Sequence, residues 1–171
     1  MTAVSSSQFV EGAISGVETP SAGPKKLHAP PHVGFTIERE FHFAGADIRT
    51  LATLIGDDNE LHHDAAQATG FAFKDVIVAG GHTTSVMMGA ISTGLMEFWP
   101  NIGLGYSSRF RRAILAGETV KIHWQVVSCE HTAKLRGMVV KFEGSLINST
   151  GETAVIASCD TLIPDGGYLA D

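Results

Sequence analysis

Residues 56–64, GDDNELHHD, place four acidic side chains, one amide and two imidazoles within nine positions of a 171-residue chain. A carboxylate and an imidazole that meet at one point can hold a water molecule, one accepting its proton while the other donates one. Asp57 and His62 are the candidate pair. Asn59 both donates and accepts hydrogen bonds, so it could orient either partner or the loop itself.

The same segment has a plainer interpretation. Asp57, Asp58 and Asp64 could be helix caps and solvated turn residues, which is what Asp usually is. Spacing alone favours this second interpretation.

A metal site is the third interpretation of this segment. His62, His63, Asp64 and the more distant His82 are all ligand types. Adjacent histidines on an extended segment point in opposite directions, and the chain has no HExxH spacing. We therefore expect no metal site.

A second candidate site is the Gly80-Gly81 pair at the start of a long apolar segment. The free N–H groups of a first helical turn favour developing negative charge, and glycine lets a carbonyl approach the backbone closely. These are the elements of an oxyanion hole. The alternative is that the glycines only turn the chain and that Thr83 or Thr84 caps the helix. His82 is expected to be a neutral, hydrogen-bonded histidine.

A third candidate is the basic run Arg109-Phe110-Arg111-Arg112 on a predicted strand. Alternation along a strand would place Arg109 and Arg111 on one face and the other two on the opposite face. Arginines there could contact the phosphates of a carrier such as coenzyme A. The alternative, at least as good for any single arginine, is a solvated face paired with nearby acids.

Composition limits the classes of partner. The net charge is −6 and the 12 Lys and Arg residues are scattered, which argues against a nucleic-acid surface. No apolar run reaches the ~18 residues that span a bilayer, and the N-terminus lacks a signal-peptide pattern, so no membrane association and a cytoplasmic location are expected. Cys129 and Cys159 are far apart and are expected to be buried thiols.

The hydrophobic patterns predict one α+β domain. Residues 1–32 form a flexible lead-in, residues 33–166 the domain and residues 167–171 a tail. Residues 33–43 alternate like a strand, and a helix follows, capped by Asp47 and stopped at Gly56. After Gly80-Gly81 comes a helix that is apolar nearly all round, which belongs inside a protein. Four long antiparallel strands follow, so the sheet should surround this helix.

In order and spacing, GDDNELHHD, VIVAGGHTTS and FRRAILAGETVKIHWQV resemble the MaoC-like, (R)-specific enoyl-CoA hydratase family. The resemblance covers residues 35–164 and implies the hot-dog fold, a bent antiparallel sheet around a central helix. It implies that Asp57 and His62 activate water for addition to a trans-2-enoyl thioester. Asn59 would be the supporting amide, and the backbone N–H of Gly80, with Gly81, would hold the thioester oxygen.

The resemblance also implies an acyl-CoA substrate, no metal or redox cofactor, and a homodimer or higher homo-oligomer. Bulky residues in and after the central helix could shape an acyl pocket. For most of them the better expectation is that they are ordinary core residues. They are Met87, Met88, Met96, Phe98 and Trp99.

The chain departs from the family pattern at two positions. Glu60 replaces the usual proline after the asparagine, and Ala79 replaces the usual histidine before the first glycine of the helix. Both changes make a short or polar acyl group plausible. A thioesterase of the same fold is one rival, although the central helix offers only Glu97 as its carboxylate. A non-catalytic acyl-carrier-binding subunit is the other, although it would be expected to lose Asp57 or His62.

Overall fold

The computed structural model of the chain describes residues 31–96 and 99–166. The predicted lead-in therefore lies outside the described residues except for its last two positions, and the predicted tail lies wholly outside them. Pro31 is buried, and its carbonyl accepts a hydrogen bond from the Cys129 thiol over 3.3 Å. Pro31, in the predicted lead-in, therefore contacts Cys129.

Five antiparallel strands form one sheet in the order β1-β3-β4-β5-β2. The last three strands follow one another along the chain and pair as neighbours, while β1 and β2 form the two edges. The strands are β1 (Thr36–His42), β2 (Ile102–Phe110), β3 (Thr119–Thr132), β4 (Gly137–Ile147) and β5 (Thr153–Pro164).

Between β1 and β2 the described residues form three α-helices, α1 (Gly45–Leu54), α2 (Ala65–Gly70) and α3 (Gly80–Met96). Helix α3 packs against one face of the sheet. The indole N–H of Trp124 donates to the Met87 carbonyl over 3.1 Å, which joins β3 to α3. Gly144 makes room for that indole, because a Cβ there would lie 2.2 Å from the ring. The predicted α+β domain, a sheet around a central helix, is confirmed.

The expectation that α3 is enclosed all round is wrong. Met87, Ile91 and Leu95 are buried, but Met88 is 40% exposed and Met96 is 62% exposed. The sheet covers one side of the helix, so small residues and these two methionines face outward from the single chain. Met87 and Trp99 are core residues, whereas Phe98 lies outside the described residues.

The start of α1 also differs from the prediction. The helix begins at Gly45, two residues before Asp47, and its N-cap Ala44 offers no side-chain hydrogen bond. Asp47 instead lies in the first turn, where its charge suits the helix dipole. The predicted stop is correct, since Gly56 adopts a φ of 71° just beyond the helix. No helix in the two described ranges is long and apolar enough to cross a membrane.

Candidate active site

The loop after α1 is shaped by its own side chains. The Asp57 N–H donates to the Ala52 carbonyl over 2.9 Å, which turns the chain out of the helix. Asn59 then caps a single 3₁₀ turn, Glu60–His62, by accepting from the Leu61 N–H over 3.2 Å. The amide of Asn59 therefore orients the loop, one of the two uses predicted for it.

Asp64 closes the same loop. Its carboxylate caps α2 by accepting hydrogen bonds from the Ala66 N–H over 2.7 Å and the Gln67 N–H over 3.4 Å. For this residue the plainer interpretation as a helix cap is confirmed.

Asp57 and His62 face each other at the centre of the loop. The Asp57 Oδ2 lies 3.5 Å from the His62 Nε2. The other ring nitrogen, Nδ1, lies 2.8 Å from the Ile77 carbonyl oxygen. A carbonyl only accepts, so Nδ1 must carry a proton, and in the neutral ring Nε2 is an acceptor.

This tautomer makes the pair suited to water. In the neutral ring, two acceptors, Nε2 and Oδ2, face each other without a proton between them. One water molecule can donate a hydrogen to each and keep its lone pairs free. His62 is buried, at 7% exposure, while the Asp57 side chain keeps 34% exposure, so the pair lies at the border between core and solvent.

His63 supports the loop from the other direction. Its Nε2–H donates to the backbone carbonyl of Asp57 over 2.7 Å, so its ring is bound to the loop rather than paired with His62. Within the described ranges, no three His, Cys, Asp or Glu side chains lie close enough to hold a metal ion.

A cavity of about 370 Å³ opens beside His62. It is the kind of concave, mainly apolar site that binds small molecules. Its wall comes from the loop, the extended segment before α3, the first turn of α3 and the end of β2. The lining residues are His62, Phe73, Ile77, Val78, Gly80, Thr83, Phe110, Arg111, Arg112, Ala113 and Ile114.

Gly80 and Gly81 occupy different surroundings. Gly80 lines the cavity, and a Cβ there would lie 3.2 Å from the Phe110 ring. Gly81 is exposed, and a Cβ there would meet Ile55 of the α1 terminus at 2.8 Å. The structure therefore brings Gly80 to the His62 cavity and directs Gly81 towards α1.

Among the described residues, no side-chain hydrogen bond caps the first turn of α3. Thr83 was a candidate cap, but its hydroxyl donates to the Ala79 carbonyl over 3.3 Å instead of accepting from an N–H. No acceptor for the N–H of Gly80 or Gly81 occurs in the described ranges, as expected for a first turn. The positive end of this 17-residue helix therefore lies at the cavity, where Gly80 is a lining residue.

The two candidate arginines are separated, contrary to the alternation prediction. Arg109 pairs with Ile156 and lies away from His62, at a different depression of the surface. Beyond Phe110 the regular ladder breaks, since the N–H groups of Arg111 and Arg112 both donate to the Ala154 carbonyl. That irregularity turns Arg111 into the His62 cavity.

His82 is neither a cavity residue nor hydrogen-bonded as predicted. It is 6% exposed and lies edge-on to the rings of Phe41 and Phe43, with centroid distances of 6.3 and 5.0 Å. Its Nδ1 has no hydrogen-bond partner within residues 31–96 and 99–166. Burial lowers the pKa of His82, an effect that the charge of Asp47 opposes.

Two groups that contribute to the site were not predicted from the sequence. The Ile77 carbonyl sets the His62 tautomer, and the Phe110 ring covers Gly80. The contribution of Ile77 comes from its backbone carbonyl, so the residue type gives no signal from which it could be predicted. Phe110 was visible as the one apolar residue of the basic run, and that was the available signal.

The chain is similar to solved structures of (R)-hydratases. The (R)-hydratase from A. caviae involved in PHA biosynthesis shares 25% identity at a TM-score of 0.71, covering 78% of this chain and 98% of that one. R-hydratase PhaJ1 from Pseudomonas aeruginosa shares 27% identity at a TM-score of 0.67, covering 78% and 83%.

A MaoC-like dehydratase from Rhodospirillum rubrum, at 18% identity and a TM-score of 0.67, covers 78% of this chain and 92% of its own and shares the fold. Comparison with curated proteins gave no match. The MaoC like domain matches residues 27–145, well over half of the chain, and this range contains the Asp57–His62 loop, α3 and the end of β2. The chain therefore belongs to the MaoC-like dehydratase family and has the hot-dog fold.

Proposed function

We propose that the protein catalyses the reversible hydration of a trans-2-enoyl-CoA thioester to a 3-hydroxyacyl-CoA. The observation that carries this proposal is the 3.5 Å separation of the Asp57 Oδ2 and the His62 Nε2, with the His62 tautomer set by the Ile77 carbonyl. The (R)-hydratases among the similar structures support the same reaction class and an (R) product.

In this mechanism the pair holds one water molecule. The water oxygen bonds to C3 of the enoyl group while one of its protons passes to the pair. A proton from the pair is delivered to C2 on the same face, so the carbon–carbon π bond is replaced by one C–O and one C–H bond. Because the pair accepts one proton and releases one, it returns to its starting state.

The thioester oxygen gains negative charge as C3 is attacked. The Gly80 N–H is the donor placed to receive it, aided by the positive end of α3. The Cβ of any other residue at position 80 would press on Phe110 at the cavity wall. The proposed reaction needs no metal or redox cofactor. Coenzyme A is part of the substrate and is the group by which the protein would bind it.

Arg111 is the proposed contact for carrier phosphate. It lines the His62 cavity and is exposed. Its neighbour Arg112 is held by Glu152, with 3.3 Å between Nε and Oε1. Arg109 lines a different depression from Arg111, so the proposed contact does not include it.

The direct test follows loss of the conjugated enoyl absorbance of crotonyl-CoA. Asp57→Asn and His62→Gln are each expected to lower kcat about 100-fold or more, the range for general acid–base groups. Asp58→Asn, an exposed neighbour in the same loop, is the control and should keep its rate. Near-normal turnover in either pair variant would contradict the proposal.

The two rivals differ in what the same assay releases. A thioesterase would liberate free thiol from the acyl-CoA; the carboxylate that could serve it, Glu97, lies outside the described residues. A non-catalytic subunit would bind acyl-CoA without turnover. The pairing of Asp57 with His62 favours hydration over both.

We also propose that the protein is a homodimer joined through β2. Both β1 and β2 are sheet edges, but β1 carries Glu38, Arg39 and Glu40, which discourage edge pairing. Strand β2 has no charge before Arg109 and exposes Ile102 and Leu104 at 44% and 46%.

A further inference from the structure

Three hydroxyl side chains lie together between β2 and α3, where the Tyr106 hydroxyl is hydrogen-bonded to those of Ser108 and Thr84. Tyr106 and Ser108 stand on β2, and Thr84 stands on α3. All three are half-buried. The proposed mechanism uses none of them.

The geometry connects this hydroxyl cluster to the candidate oxyanion donor. Tyr106, Ser108 and Phe110 alternate along β2 and share the face that looks towards α3. At one end of this row the Phe110 ring contacts Gly80. At the other end the Tyr106 hydroxyl reaches Met87, nearly two turns along the helix.

Thr84 lies one turn beyond Gly80 on the same side of the helix. The order from the cavity outward is therefore Phe110 with Gly80, then Ser108 with Thr84, then Tyr106 with Met87. An acyl chain whose thioester oxygen is bound at Gly80 could follow this row.

The cluster is polar but uncharged. The Tyr106 hydroxyl donates to the Met87 sulfur over 3.5 Å, and thioether sulfur is a weak acceptor. Burial raises the pKa of Tyr106, and the hydroxyls of Ser108 and Thr84 act against that rise. A ligand oxygen would be a better partner for this phenol than the sulfur it has.

We propose that Tyr106, Ser108 and Thr84 form a subsite for an uncharged oxygen, a hydroxyl or carbonyl, on the acyl chain of the substrate. This inference rests on the proposed hydration. A purely hydrocarbon chain would exclude water from the hydroxyls and leave them only one another and the Met87 sulfur as partners, which costs free energy. A carboxylate would find no cation among the three.

Position 84 lies about 6 Å along the helix axis from position 80, at 1.5 Å per residue. The carbon that carries the oxygen therefore lies about five bonds beyond the thioester carbon, which makes it C6 of the acyl chain. The matched probes are a trans-2-hexenoyl-CoA with a hydroxyl on its terminal carbon and trans-2-heptenoyl-CoA, in which a methyl group replaces that hydroxyl.

The experiment measures kcat/KM for both probes. The wild-type protein should prefer the hydroxylated probe about 10-fold or more, a modest case of hydrogen-bond discrimination. Tyr106→Phe and Thr84→Val should each reduce that ratio at least about 5-fold, mainly through KM. Ser107→Ala, on the opposite face of β2, is the control and should leave the ratio unchanged.

The outcomes separate the two proposals. Hydration of both probes at equal rates, or a ratio that Tyr106→Phe and Thr84→Val leave intact, overturns the subsite and leaves the hydratase standing. Absence of hydration with both probes and with crotonyl-CoA overturns the hydratase, and the subsite with it. A ratio that falls in both variants but not in Ser107→Ala supports the subsite.

Discussion

At the residue scale, one backbone hydrogen bond decides what the loop can do. The Ile77 carbonyl forces the His62 proton onto Nδ1, so the neutral Nε2 meets the Asp57 carboxylate as an acceptor. With the opposite tautomer His62 would donate directly to Asp57, and the water position would be lost.

His63 is a positioning residue for this pair. Removing its 2.7 Å hydrogen bond to the Asp57 carbonyl should let the loop shift, because a net loss of about 1 kcal/mol then opposes the active geometry. We expect His63→Phe to lower kcat for crotonyl-CoA about 10-fold with little change in KM. Steady-state kinetics beside Asp58→Ala would check this, and an unchanged kcat would contradict it.

His82 should make stability depend on pH. Burial lowers its pKa, so the unfolded chain, with a His pKa near 6.5, binds the proton that the folded chain refuses. Stability is therefore expected to fall as pH drops below about 6.5. The Tm loss between about pH 7.5 and 5.5 should be smaller in His82→Gln than in the wild type. Equal losses would show that another group governs the acid response.

At the element scale, α3 contributes both to the candidate site and to the core, where it contacts β3. Its first turn contributes Gly80 to the cavity wall, and the Met87 carbonyl in its middle accepts the hydrogen bond of the Trp124 indole. One side of the helix packs against the sheet and the other side is exposed. A glycine on the packed side leaves room for a neighbouring side chain, whereas a glycine on the exposed side does not.

Gly94 and Gly89 test this division. A Cβ at Gly94 would lie 2.7 Å from Ile37 Cγ2, whereas nothing lies within 4 Å of a Cβ at Gly89. We expect Gly94→Ala to lower the free energy of unfolding by about 1–3 kcal/mol through overpacking. Gly89→Ala should raise it by up to about 1 kcal/mol through helix propensity. Denaturant titration of both variants measures this, and the same sign for both would contradict the packing argument.

At the scale of the whole molecule, β2 is an edge strand of the sheet, with one side unpaired in the described part of the single chain. Its apolar, uncharged edge is suited to a second copy. Leu104→Lys is expected to shift the protein from dimer to monomer in light scattering coupled to gel filtration. Leu54→Lys, at a 71%-exposed position on α1, is the control and should leave the mass unchanged. A monomeric wild type would refute the proposed interface.

Much of the fold could be predicted from local pattern. Alternation identified β1, Gly56 marked the end of α1, and the glycine pair marked the start of α3, because each signal depends on backbone geometry close in sequence. The start of α1 was missed because the helix has no side-chain cap to reveal it. The exposed side of α3 was missed because periodicity reports apolar residues and not what covers them.

The sequence by itself indicated the family, and through that resemblance it predicted the candidate pair and the candidate glycine donor, although spacing alone favoured turn and cap roles. Only the tertiary structure decided the His62 tautomer, the separation of Arg109 from Arg111 and the approach of Phe110 to Gly80. Each of these depends on a carbonyl, a ladder irregularity or a strand–helix contact between segments far apart in the chain. Such contacts arise from packing, and residue order does not record them.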